Sequence, residues 1–210
     1  MSTATVTASS ILRSVFPESN WRELTAADYD AVCQKLTSAG ALNAAAASFM
    51  KEAKIKLGLH QQYKSGAGWT ILRNITLAPE ASLSDNYTLC LISHELFHLQ
   101  QSIWTRLSVR GELLAWQYQR QAYYELTGKD IGDHGEAYGG TKEHWDKLAL
   151  LSADSRDDLL AAQGVMKKVS PDYRSDCLPL FPLTTEIKHF LKQGKFGEAF
   201  GALWNLLTCK

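Results

Sequence analysis

The sequence predicts a mainly α protein with a small β element, an α+β fold dominated by helices. Two observations support that class. Apolar residues recur at three- and four-residue spacing along most of the chain, between Ser, Thr or Asp at helix starts and Gly at helix ends. Only WTILRNITLAPE, Trp69 to Glu80, is β-branched and partly alternating, the pattern of a strand. The length of 210 residues suits one compact domain, and 1–210 is read as a single one.

The elements follow in order. Residues 1–20, rich in Thr and Ser, read as a poorly ordered lead-in. LTAADYDAVCQKLTSAG opens with Thr25 and Asp28 in a capping-box-like start and stops at Gly40. ALNAAAASFMKEAKIKLG is alanine-rich and predicts a second helix, ending at Gly58 and forming a hairpin with the first. HQQYKSGAGW is a polar connection. WTILRNITLAPE then gives one long strand, or two short ones joined near Arg73 and Asn74.

SLSDNYTLCLISHELFHLQQSIWTRL predicts a long helix with Ser82 or Ser84 as N-cap, Asp85 in its first turn and a break at Gly111. ELLAWQYQRQAYYELTG is the next helix, ending at Gly128. KDIGDHGEAYGGTKE is glycine-rich and reads as a surface loop. Helical segments follow around Trp145 to Leu151 and Asp157 to Lys168. SPDYRSDCLPLFPLT, with three prolines, is irregular, and residues 179–210 carry a final helical hairpin broken near Gly194.

Composition narrows the function. Lys plus Arg equals Asp plus Glu, 22 each, so there is no electrostatic footprint for nucleic acid or an anionic membrane surface, and neither partner is expected. No apolar run reaches the 18 or so residues of a membrane span. The N-terminus lacks a basic segment followed by an apolar one, so the expected location is cytoplasmic unless a dedicated secretion machine exports the chain. Cys33, Cys90, Cys177 and Cys209 are scattered without CxxC spacing and read as reduced thiols.

The chemistry concentrates in HELFH. His94 and His98 are four apart and share one helix face, so both imidazoles can address one Zn²⁺. Glu95 points about 100° round the helix from His94, beside a metal rather than onto it. A carboxylate there can take a proton from an activated water and later give it to a leaving amine. Leu89, Ile92, Leu96, Leu99 and Ile103 make the helix amphipathic, so the histidines sit where an unpaired imidazole is costly. The bland alternative is two satisfied structural histidines. Cys90, one turn before His94, reads as a packing residue, with an accessory thiol ligand as the sharper alternative.

HELFHLQQ after the strand WTILRNITLAP resembles the active-site helix of the zincin metallopeptidases, over roughly Trp69 to Gly128 and as a core spanning 66–128. The resemblance implies zinc, a short edge strand or hairpin before the active-site helix, peptide or protein substrates, and Glu95 as general base. Gln101 and Trp104 stand where the metzincin branch has Gly and His, which excludes that branch. The gluzincin branch takes its third ligand from a glutamate on a later helix, and RGELLAWQYQ resembles that helix, with Glu112 as the ligand. Glu125, Glu136, His134 and His144 are the alternatives. HLQQ is also similar to small bacterial HExxHxxQQ proteins, some associated with secretion and toxin systems. An oxyanion-stabilising group could come from Tyr118, Tyr123, Tyr124, His134, Tyr138 or His144, which the sequence does not separate. The alternative to an enzyme is a helical interaction or effector protein with a structural or vestigial zinc site.

Overall fold

A computed structural model describes residues 21–60, 67–69, 74–138, 140–169 and 175–208. The expected lead-in at 1–20 lies outside them. The described residues are mainly helical with a small mixed sheet, the class the periodicity predicted. Strand β1 is Trp21–Glu23, β2 Lys56–His60, β3 Ala67–Trp69 and β4 Asn74–Leu77. Helices α1 (Ala26–Ala39) and α2 (Ala41–Glu52) lie between β1 and β2. After the sheet come α3 (Asn86–Gln100), the single turn α4 (Ile103–Arg106) and α5 (Val109–Thr127). Helices α6 (Lys142–Leu150), α7 (Arg156–Val169), α8 (Leu183–Lys192) and α9 (Phe196–Thr208) complete the order.

The sheet runs β1-β2-β4-β3. β2 and β4 are parallel at its centre, with Leu57 opposite Ile75, and β1 and β3 flank them antiparallel. Of the expected strand at 69–80, β4 and the Trp69 end of β3 are described and residues 70–73 lie outside the described set; Ala67 and Gly68 of β3 fall in the stretch read as a polar connection. Among the described residues β3 is an edge strand, and it packs against α3.

Several boundaries differ from expectation. The second helix stops at Glu52, not Gly58, because Lys54 turns into left-handed backbone at φ 53° and Ile55 and Leu57 then alternate inward against Lys56 outward. That period of two overrides the local helix propensity. Asp85, rather than Ser82 or Ser84, caps α3 by accepting from the Thr88 N–H at 3.0 Å. The break falls not at Gly111 but at Gln101–Ser102, and Ser108 caps α5 through the Gly111 N–H at 3.2 Å. Gly111 is needed for another reason: a Cβ there would meet the Thr105 carbonyl oxygen at 2.0 Å. The glycine-rich loop contains a 3₁₀ helix, Ile131–Tyr138, and the terminal hairpin turns at Gly194, φ 71°. Cys177 is disulfide-bonded, against the expectation of four reduced thiols; its partner lies outside the described residues, while Cys33 and Cys90 are free thiols.

The core explains where the site sits. Leu89, Ile92, Leu96 and Leu99 turn one face of α3 onto the sheet and α1–α2, beside Val32, Leu36, Met50, Leu57, Ile75 and Leu77. Each such side chain, nearly fully buried, contributes about 1.5–3 kcal/mol. The opposite face of α3 carries Cys90, His94 and His98 toward α5, so the helix is covered on both sides. A second cluster, centred on Val109, Leu113, Leu159 and Met166, anchors α5 to α6 and α7.

Candidate metal centre

Three elements build the site. α3 supplies His94, Glu95 and His98; α5 supplies Glu112; α4 reverses the chain between them. The helices run antiparallel: Gln101 meets Gly111 near one end, and Cys90 meets Gln119 two turns further along α5. The start of α5 is held from three directions. Ser108 caps it, Val109 N–H donates to the Pro179 carbonyl and Arg110 N–H to that of Leu180, both at 2.9 Å. An acidic residue in this first turn also meets the positive end of the helix dipole.

The three donor groups converge. His94 Nε2 lies 3.1 Å from His98 Nε2, His98 Nε2 3.2 Å from Glu112 Oε1, and His94 Nε2 3.9 Å from Glu112 Oε2. Ligand atoms held about 2.0–2.1 Å from a tetrahedral ion stand about 3.3 Å apart, so these spacings fit one face of such a site. His94, Glu95, His98 and Glu112 are only 6, 7, 2 and 4% exposed. Among the described residues this is the group of His, Cys, Asp or Glu side chains whose ligand atoms could hold a metal.

Electrostatics separate the histidines. Burial, then the neighbouring His98, push His94 down to about 3, so its ring is neutral and able to ligate. Burial also works against a proton on His98, but the Glu112 carboxylate beside it prevails and raises it to about 9. Burial lifts the Glu95 carboxyl to about 7, with His98 opposing and Glu112 reinforcing the rise. No residue in the described set hydrogen-bonds the Glu95 carboxyl, which leaves it free to carry a proton.

The alternative ligands are engaged elsewhere. Glu125 accepts from the N–H groups of Leu42 and Asn43 at 3.1 and 2.9 Å and from the Asn43 amide at 3.0 Å, closing the start of α2. His134 pairs with the Tyr123 hydroxyl at 3.0 Å, and His144 with Thr141. The Glu136 and Tyr138 side chains lie outside the described set. Of the oxyanion candidates, Tyr118 donates to the Leu42 carbonyl at 3.1 Å and Tyr124 is solvent-exposed, so neither is beside the triad. Cys90 is fully buried, donates to the Tyr87 carbonyl and accepts from Gln119; burial pushes its thiol up, which makes it a packing residue.

Sequence reasoning missed Gln101 and Trp116. Gln101 Oε1 lies 3.2 Å from His98 Nδ1, a pairing that its i+3 position already allowed. Trp116 packs edge-on to His94, ring centres 6.5 Å apart, and only the folded chain shows it. A cavity of about 630 Å³, lined by Gln117, Arg120, Asp130 and Asp154, opens on another face of α5 and includes none of the triad. Comparison with protein families, curated proteins and solved structures finds no match to the chain.

Proposed function

We propose that the chain is a zinc-dependent metallopeptidase of gluzincin type. The observation that carries this is the convergence of His94, His98 and Glu112 with the unbonded carboxyl of Glu95 alongside. Three protein ligands leave a fourth position open, as catalytic zinc sites do and structural ones do not. Zinc held there supplies Lewis acidity, activating water and polarising a peptide carbonyl. Glu95 takes the proton from the attacking water as the oxygen–carbon bond forms, then delivers it to the amine as the carbon–nitrogen bond breaks. A carboxyl that takes up a proton in the first step and releases it in the second serves both transfers. The outer edge of β3, next to α3, offers backbone groups to which an extended peptide or protein substrate can add as a strand.

The test is metal content and turnover on one preparation. Purified protein is expected to hold about one zinc per chain and to cut unstructured peptides. His94→Ala or His98→Ala should lose the metal. Zinc retained in the double variant rules out the assignment.

The second reading is a helical interaction or effector protein whose zinc site is structural or vestigial. It is favoured by the depth of the four site residues and by the engagement of Tyr118 and Tyr123 elsewhere. Under that reading Glu95→Ala changes nothing measurable. Association with a secretion or toxin system belongs to either reading.

For location, no described helix is long and apolar enough to cross a membrane. The cytoplasmic expectation meets one contrary observation, the Cys177 disulfide, which favours an oxidising compartment. Thiol labelling of freshly extracted protein decides between them.

A further inference from the structure

We propose that Gln101 is a positioning residue that sets His98 and the Glu112-bearing end of α5 with one side chain; this rests on the zinc reading above. Gln101 stands at the C-cap of α3 in extended backbone, and its N–H donates to the His98 carbonyl at 3.0 Å. Its amide oxygen lies 3.2 Å from His98 Nδ1, and its amide nitrogen donates to the Gly111 carbonyl at 3.1 Å. An oxygen cannot donate, so in this pair Nδ1 carries the proton. The neutral ring then presents its Nε2 lone pair, the atom that faces His94 and Glu112.

The second bond reaches the other helix. Gly111 immediately precedes Glu112, so the Gln101 amide fixes the backbone from which the third donor extends. Two further features hold the clamp still. Arg106 Nη2 donates to the Gln101 carbonyl at 2.9 Å, and the Thr105 carbonyl lies flush against Gly111, leaving no space for a Cβ. A glutamine suits the place because one amide offers both an acceptor and a donor. Glutamate would keep the first bond and lose the second, and leucine would lose both.

The experiment compares wild type, Gln101→Glu, Gln101→Leu and the neighbouring exposed Gln100→Leu. Zinc affinity is read by competition with a chromophoric chelator. Nitrogen-15 NMR of the zinc-loaded protein reads the slowly exchanging His98 Nδ1 proton. Removing an outer-shell partner of this kind costs about 10–100-fold in metal affinity. Gln101→Leu is expected to lose both that affinity and the slowly exchanging Nδ1 proton signal. Gln101→Glu should keep the signal and weaken zinc less, and Gln100→Leu should match wild type. Should Gln101→Leu fail to fold, Gln101→Glu decides alone: a retained Nδ1 proton supports the clamp, and its disappearance overturns it. Equal affinity and an unchanged Nδ1 proton in folded Gln101→Leu also overturn it, while the metallopeptidase reading stands. A wild-type protein that takes up no zinc overturns both.

Discussion

At the scale of single residues, protonation governs the site. His98 sits beside Glu112, 3.2 Å away, and holds its proton to about pH 9 despite burial. A metal must displace that proton, because a ligating histidine is neutral. The sign follows: below about pH 9 the proton competes, so apparent zinc affinity should fall roughly tenfold per pH unit of acidification. Chelator competition between pH 6 and 8 measures the slope, and a flat profile would contradict the pairing. Glu95 makes a different demand. Glu95→Gln is expected to retain zinc while peptide hydrolysis drops by about 10²–10⁴-fold, the usual worth of a general base. Unaltered turnover in that variant would remove Glu95 from the chemistry.

At the scale of elements, the site depends on how helices begin. Glu125 closes the first turn of α2 from across the molecule, on α5. Glu125→Ala should therefore cost about 1–2 kcal/mol in urea unfolding, the range of a lost cap, and leave zinc content intact. Zinc lost with Glu125 would instead return it to the ligand shell. Gly111→Ala is a different case. Its Cβ would collide with the Thr105 carbonyl and push α4 off α5, so this variant should lower both the urea midpoint and the zinc affinity read by chelator competition. The convergence of His94, His98 and Glu112 was legible in the sequence because the two histidines depend on local helical spacing, and Glu112 on a short connection. The strand at Lys56–His60 was not, because Ala- and Lys-rich neighbours favour helix and only pairing with β4 rewards the alternation. Nor was the Gln101–Gly111 bond, which exists only once α4 has turned the chain back.

At the scale of the molecule, an ion held by the proposed triad would add a fastener between α3 and α5, helices that already share an apolar cluster at Cys90, Ala122 and Tyr123. An ion that binds only the folded form at 100 times its dissociation constant adds about 2.7 kcal/mol. For a chain of this size, removing zinc with a chelator should lower Tm by about 5–10 °C. A thermal scan with and without chelator reads this, and coincident transitions would count against an ion at this interface. The bonds from Val109 and Arg110 to the carbonyls of Pro179 and Leu180 have a temporal consequence. During synthesis both histidines and Glu112 emerge long before the segment that steadies the Glu112 turn. If the triad holds an ion, a nascent chain should gain its full grip late, after residue 180 is free to dock. A fragment ending at residue 170 tests the order of events: it is expected to bind zinc more weakly than the full chain, and equal binding would mean that the donors assemble without help from the later sequence.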